Sequence, residues 1–563
     1  MNRLSIPLLL ALFAPFIAIP LYGQPIPDST LKKLDQLFAR WNRPNSPGCA
    51  VGIIRNDSLI FSKGYGMANL EYDIPNTPAT IYHMASVSKQ FTAFSIVLLA
   101  RQGRLKLDDD VRRYLPWFPD LKEKITIRHL LHHTSGIRDQ WQLLATAGTR
   151  LDDVITQDQI IRILSRQRAL NSKPGEKFNY CNSGYTMMAE IVKAVTGQTL
   201  RQFTDSAIFK PLGMQQTHFH DDYTEVVKNR SFSYYPKDSA HYSNSVLSYS
   251  NVGATSLFTN INDMSKWVMN FYTHKVGDQQ DIDTLTKKGR LNNGREIDYA
   301  LGISNMSYKG WKGFSHGGGD AGFRTIVTVF PDLKMGFIVF ANVGNLNPGQ
   351  RATEMAALFI NDTTKGSALK KDNEKKDSSG VIQKNTAALG KFMGNYISDE
   401  GMQINFRLNN NKLYAEAYGQ SELLREKKDT FSLFNNPDIK FSFKIRQAGD
   451  TTVSAVFNPD TREVLKKYNT APLPVQTLKA YTGTYYSPEL DCKYGIAIKN
   501  NGLVLTNSKY DDAPIILAGP DQMLIDRWWM GNLQVTRDTK GQITGFEVNS
   551  GRVLHLKFDK LKE

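Results

Sequence analysis

One stretch of this chain occurs twice. Leu389-Gly-Lys-Phe-Met-Gly394-Asn-Tyr396 returns as Leu478-Lys-Ala-Tyr-Thr-Gly483-Thr-Tyr485, offset by 89 residues. Asn410-Asn411-Lys412-Leu413 returns as Asn500-Asn501-Gly502-Leu503 at nearly the same offset. A repeat of this period requires each copy to be a structural unit of its own. Both copies carry short alternating apolar runs separated by Asn, Gly and Asp turns. Two small antiparallel β modules, barrel-like, are therefore expected over 389–470 and 471–563.

A different composition precedes the repeat. Residues 363–388 hold Lys365, Lys370, Lys371, Lys375, Lys376 and Lys384 among Asp372, Glu374 and Asp377, with no aromatic residue. That is the composition of a solvated linker. Upstream, 24–362 alternates helical periodicity, at 30–41 and 88–102, with apolar strands at 50–54, 58–61, 323–330 and 335–341. This is a mixed α and β domain, and the fold class is α+β.

The amino terminus is an address. Met1-Asn2-Arg3 leads into an apolar run over 4–22, broken by Pro7, Pro15 and Pro20, and Gly23 precedes a polar chain. Residues 1–23 are read as a secretory signal peptide, so the protein is expected to be exported, periplasmic or secreted. No second run of 18 apolar residues follows, so no integral membrane domain is expected after its removal. The net charge of +15 is spread among acidic residues without a basic stripe, which argues against nucleic acid as a partner. Cys49, Cys181 and Cys492 are too few and too far apart for a disulfide framework.

Three short motifs carry chemistry. Ser86-Val87-Ser88-Lys89 opens the apolar helix, and positions i and i+3 share one helix face. A serine hydroxyl there meets the free N–H groups of a helix start, and a desolvated lysine amine can act as its base. Ser29-Thr-Leu-Lys32 and Ser367-Ala-Leu-Lys370 share this spacing, so alone it selects nothing. Tyr180-Cys181-Asn182 precedes another apolar helix; a phenol could shuttle protons and an amide could hold a substrate amide. Tyr242-Ser-Asn244 and Tyr249-Ser-Asn251 repeat that spacing too. His316-Gly317-Gly318-Gly319 precedes the strand at 323–330, where glycines admit a substrate along the strand edge and free N–H groups for an oxyanion. Arg324 on that strand is a possible substrate contact. His129, His132 and His133 lack a metalloprotease pattern and are assigned to packing, Cys181 to packing, and Trp528-Trp529 to barrel filling; no metal and no cofactor are expected.

Longer strings give these motifs company. Gly64-Tyr-Gly-Met-Ala-Asn-Leu-Glu71, Thr80-Ile-Tyr-His-Met-Ala-Ser-Val-Ser-Lys-Gln-Phe-Thr92, Gly103-Arg-Leu-Lys-Leu-Asp-Asp109, Ile125-Thr-Ile-Arg-His-Leu-Leu-His-His-Thr-Ser-Gly136 and Pro211-Leu-Gly-Met214 follow in order. Over about residues 30–350 the chain resembles the penicillin-recognising serine hydrolases: class C β-lactamases, D-alanyl-D-alanine carboxypeptidases, D-aminopeptidases and related esterases. The resemblance implies a β-lactamase/transpeptidase-like domain, an antiparallel sheet with helices on its faces plus a helical subdomain. It implies Ser86 as acyl-forming nucleophile, Lys89 and Tyr180 as the groups that move its proton, and Asn182, His316, Gly317 and Gly318 as substrate-binding. The N–H groups of Ser86 and Gly319 would form the oxyanion hole. His316 stands where β-lactamases of this type carry lysine, and His-Gly-Gly resembles the peptidase, D-aminopeptidase and esterase branches more. The expected function is an exported peptidase or amidase acting on small peptides, of D-aminopeptidase or D,D-carboxypeptidase type, with ester or β-lactam hydrolysis as alternatives. A non-hydrolytic binder of penicillin or cell-wall peptides is the reading from another class. Paired barrels after the catalytic domain resemble the D-aminopeptidase layout. Oligomeric state is not legible.

Overall fold

The apolar runs of the amino-terminal region pair into one six-stranded antiparallel sheet. Across it the order is Ser304–Tyr308, Trp311–Asp320, Phe323–Phe330, Met335–Ala341, Cys49–Arg55 and Ser58–Tyr65. Met335–Ala341 is buried at every position and Cys49–Arg55 at all but its last, which is why both read as unbroken apolar runs. The computed structural model describes residues 26–361 and 389–562 apart from 239, 418–419, 435, 448–449, 459–460 and 471–472. The expected signal peptide, 1–23, and linker, 363–388, lie outside the described residues.

Helices cover both faces of the sheet. Asp28–Phe38 and Pro348–Ala357 pack Leu34, Phe38 and Met355 against Phe337 and Val339 on one side. Lys89–Arg101 and Ile261–Thr273 cover the other, where Phe91 lies 4.5 Å from Trp267, centroid to centroid. Helix Lys89–Arg101 is buried on every side from Lys89 to Leu99, because a helical subdomain of Ile127–Leu131, Gln140–Thr146, Gln157–Ser165 and Asn182–Thr196 packs beyond it. A buried lysine at the head of a buried helix is the first sign of where chemistry sits.

The repeated region forms two closed barrels of eight strands, Gly394–Ser398 to Thr461–Tyr468 and Gly483–Ser487 to Val553–Lys560. The repeated residues explain why the same plan appears twice. Gly394 and Gly483 adopt φ of 144° and 138°, and a Cβ there would lie 2.4 Å and 2.9 Å from the side chains of Lys467 and Lys560. Tyr396 donates its hydroxyl hydrogen to the Phe392 carbonyl at 3.1 Å, as Tyr485 does to Tyr481 at 2.6 Å. Asn410-Asn411 and Asn500-Asn501 have φ between 46° and 64°, the left-handed pair that a two-residue hairpin turn demands.

The second barrel is seated on the helical subdomain. Arg138, at 1% exposure, bonds Glu489 at 2.6 Å and the carbonyls of Leu554 and His555 at 2.9 and 2.7 Å. The Trp528-Trp529 pair does not fill the barrel as the sequence suggested. It lies in the loop after Gln522–Ile525; Trp529 packs on Tyr510 and its carbonyl accepts from Gln142 at 3.1 Å, while Trp528 is 49% exposed. Smaller aromatics, Tyr485, Phe546 and Phe558, occupy the interior, which leaves the indoles to the docking face.

Candidate active site

Ser86 sits on a short 3₁₀ turn, Ala85–Ser88, and the α-helix proper starts at Lys89. The serine therefore precedes the helix rather than opening it. Ala85 has φ of 48°, a strained value for alanine that turns the chain sharply before the serine. Two contacts hold this turn in place. Thr325 donates its hydroxyl hydrogen to the Met84 carbonyl at 2.8 Å, and the Leu257 N–H donates to Ser88 Oγ at 2.9 Å. Gly318 is required for space: a Cβ there would lie 2.4 Å from the Met84 carbonyl oxygen.

The glycines occupy the end of their own strand, Trp311–Asp320, and not the approach to the next one. The neighbouring strand pairs only with Trp311–Ser315, so from His316 onward that strand edge faces the cavity. Ser86, Tyr180, Asn182, His316 and Gly317–Gly319 line one cavity of about 370 Å3, together with Trp141, Asp320 and Arg552. Arg324 is not among them. Its guanidinium donates to the Ala321 and Phe323 carbonyls and to Tyr235 Oη, beside a neighbouring cleft.

Lys89 Nζ makes three contacts: Ser86 Oγ at 3.0 Å, Asn182 Oδ1 at 2.9 Å and the Ala254 carbonyl at 2.7 Å. Burial lowers its pKa to about 7, with Arg552 adding to the fall and Asp320 and Asp139 opposing it. Both protonation states fit this geometry. An ammonium donates all three bonds; a neutral amine donates to Asn182 and Ala254 and accepts the Ser86 proton on its lone pair. A proton can move from Ser86 to Lys89 without any heavy atom moving.

Tyr180 packs its ring on His133 at 4.1 Å, and Lys89 Nζ lies 5.0 Å from the ring centroid. Burial holds its phenol well above the usual range, so the hydroxyl keeps its proton at neutral pH. Asn182 is held at both ends of its amide. Its Oδ1 accepts from Lys89, and its Nδ2 and N–H donate to Asp139 Oδ2 at 2.8 and 2.7 Å. That bond starts the helix at Asn182, earlier than the apolar pattern suggests. Asp139 also caps Gln140–Thr146 through the Trp141 N–H.

His316 is neutral and committed. Its pKa falls to about 3, chiefly by burial, with Lys89 adding to the fall. Nδ1 pairs with the Gly317 carbonyl at 2.6 Å and Nε2 with Tyr299 Oη at 3.0 Å, a pattern that fits the Nδ1–H tautomer. Such a ring gives a substrate carboxylate no positive charge. His129, His132 and His133 each have separate partners, in a capping box, on the Tyr299 carbonyl and on the Cys181 N–H. The Cys181 thiol is pushed up to about 12 by burial and donates to the Ile137 carbonyl, so it is no nucleophile.

Two residues that the motifs did not single out complete the site. Asp139 follows the string that ends at Gly136, and an acidic N-cap before Gln140-Trp141 was its only signal. Arg552 comes from the second barrel, at the tip of the hairpin between Ile543–Ser550 and Val553–Lys560. Gln142 and Asn171 bond its backbone at 2.8 Å each, while its guanidinium reaches 5.0 Å from the Tyr180 ring and 3.9 Å from Asp139. Nothing local in Ser550-Gly551-Arg552 marks it.

A serine on a strained turn, a buried lysine on its hydroxyl and a glycine-rich strand edge opposite define a serine hydrolase site on a β-lactamase-like fold. A family model described as Beta-lactamase matches residues 33–362, and the chain belongs to that family. The chain is 26% identical over 406 residues to penicillin-binding protein 4* of Bacillus subtilis (strain 168), covering 70% of this chain and 88% of that one. It is 25% identical over 281 residues to a D-aminopeptidase of Gluconobacter oxydans (strain 621H), covering 50% of this chain and 52% of that enzyme. Among solved structures, the octameric penicillin-binding protein homologue from Pyrococcus abyssi superposes with a TM-score of 0.54 at 23% identity, covering 78% of this chain and all of that one.

Proposed function

We propose that this protein is an exported amidase or peptidase of small peptides that works through an acyl-enzyme on Ser86. The observation that carries this reading is the Ser86–Lys89 pair, 3.0 Å apart with the lysine poised near neutrality. Lys89 takes the Ser86 proton as Oγ bonds to the substrate carbonyl carbon. The developing oxyanion faces the N–H groups of Ser86 and Gly319. Lys89, now an ammonium, returns the proton through the neutral Tyr180 hydroxyl to the leaving amine. Water then attacks the acyl carbonyl by the same path, giving its proton to Lys89 and releasing the acid from Ser86.

Arg552 bears on substrate choice. His316 cannot neutralise a carboxylate, whereas Arg552 lines the same cavity with its side chain 46% exposed. Peptides with an anionic group beside the scissile bond suit this cavity best, as an Arg–carboxylate pair is a strong, directional contact. A substrate panel tests the proposal: D- and L-aminoacyl amides, D-Ala-D-Ala peptides, short-chain esters and cephalosporins. Turnover of amides that disappears in Ser86→Ala is expected. A stable Ser86 adduct with a fluorescent penicillin, without turnover of any substrate, makes the protein a binder instead. Turnover retained in Ser86→Ala means another nucleophile.

A further inference from the structure

Behind the nucleophile turn, a small sheet joins Tyr82–His83, Leu257–Thr259 and His218–Phe219. Its outer strand, His218–Phe219, runs directly into His220. Alternate residues of an extended chain point to one side, so the two imidazoles share a face while Phe219 enters the core. The next residues turn back: the Glu225 N–H donates to the Asp222 carbonyl at 3.1 Å, which brings the Glu225 carboxylate over the two rings.

The geometry points to a zinc site formed by His218 Nε2, His220 Nδ1 and Glu225 Oε2, a structural brace for the sheet that holds the nucleophile turn. The three donor atoms lie 3.4, 3.6 and 3.9 Å apart. Zinc bonds of about 2.0–2.2 Å in tetrahedral array place donor atoms about 3.3–3.5 Å from one another, so the three sit close to the corners of one face around a common centre. An ion pair explains the spacing less well. A charged imidazole would close on the carboxylate to about 2.7–2.9 Å, and neither ring does. His220 is 1% exposed, and its other nitrogen, Nε2, is buried without a hydrogen-bond partner. Its Nδ1 faces His218 Nε2 and Glu225 Oε2 across the triangle.

The surroundings suit a metal. Burial lowers the pKa of both imidazoles, that of His220 to about 4, so both offer lone pairs at neutral pH. Arg201 donates to Glu225 Oε2 at 2.6 Å, to Oε1 at 2.8 Å and to Asp221 at 2.9 Å, which fixes the orientation of the carboxylate as supporting residues of metal sites do. The positive charges of Arg201 and Arg230 oppose a cation, and the carboxylates of Glu225 and Asp221 oppose them in turn. Three protein donors leave the fourth zinc position to water. The His220 ring stacks on Phe258 at 4.3 Å, the Leu257 carbonyl accepts from the Met84 N–H at 2.8 Å, and Met84 stands two residues before Ser86. The metal would thus fasten the edge strand of the sheet on which the nucleophile turn rests.

Untagged full-length protein, stripped with a chelator and dialysed, provides the test. Expected is one equivalent of zinc per chain by elemental analysis after equilibration with micromolar zinc. A rise in Tm of at least about 3 °C, reversed by EDTA, should accompany it. Cobalt(II) in its place should show the intense visible absorption of a four-coordinate ion. His220→Gln should abolish binding, and so should His218→Gln, which alters a less buried ring and spares the fold. Wild-type protein that holds less than about a tenth of an equivalent, or folded variants that hold as much zinc as wild type, would overturn the site.

Discussion

The two barrels share a strand plan, the same left-handed Asn-Asn turn and the same tyrosine-to-backbone bond, but they serve the catalytic domain differently. The contrast is sharpest at one repeated position, a glutamate just after the first strand of each copy: Glu400 in the first and Glu489 in the second. Glu400 pairs with Lys177 at 2.6 Å where both side chains meet water, at 30% and 53% exposure. Glu489 pairs with Arg138 at the same 2.6 Å, at 4% and 0% exposure. Burial separates them. Exposed pairs are worth about 0–1 kcal/mol, whereas removing one partner of a buried pair costs about 3–5 kcal/mol because the other charge is stranded. The apolar residues of the second barrel are continuous with the core of the catalytic domain, while those of the first form a cluster of their own. Duplication supplied two equal scaffolds; packing made one of them part of the site.

Four measurements can break or sharpen this comparison. Arg138→Ala should have the largest effect, about 3–5 kcal/mol in urea unfolding together with loss of activity, because it strands Glu489 and frees the Leu554 and His555 carbonyls and Gln167 Oε1. A loss below about 1 kcal/mol would mean that the second barrel is no better anchored than the first. Arg552→Ala should leave unfolding unchanged but lower kcat/KM about 10- to 100-fold for substrates with a carboxylate, and little for neutral ones. An equal loss on both classes would assign Arg552 to Tyr180 rather than to substrate.

The third measurement is a pH profile. Lys89 is protonated below about pH 7 and cannot accept the Ser86 proton, so kcat/KM should rise with pH through an inflection near 7. Arg552 opposes the ammonium, so Arg552→Ala should raise the Lys89 pKa and move the inflection upward by a fraction of a unit. A downward move would contradict that sign. The smallest effect is expected of Lys177→Ala: about 0.5 kcal/mol or less, and no change in kcat/KM.

Much of the site could be read before folding was considered. Ser86 and Lys89 are three residues apart, and a helical start brings them together whatever surrounds it. Tyr180 and Asn182 flank Cys181, and the glycines follow His316 directly, so each motif is a local event. The glycine strand was legible as chemistry but misjudged as structure, because glycines lack the apolar pattern that marks a strand. Trp528-Trp529 was misjudged because aromatic size says that a ring will be covered, not by which surface. His218, His220 and Glu225 carry no joint signal in the sequence, since only a turn of the folded chain brings Glu225 to the His-x-His pair.

The sequence by itself determined the family strings, the three-residue spacing of Ser86 and Lys89, and two β modules whose Asn-Asn pairs suit tight hairpins. These follow from contacts between near neighbours in the chain, which spacing and backbone preference dictate. Only the tertiary structure decided that Lys89 titrates near 7, that His316 is neutral and engaged, that Asp139 aims Asn182, and that Arg552 completes the cavity from the second barrel. Those properties rest on desolvation and on contacts across long stretches of chain, such as the bond from Arg138 to the Leu554 carbonyl 416 residues away. Desolvation exists only once the surrounding atoms have closed around a group, and no local pattern records which atoms those will be.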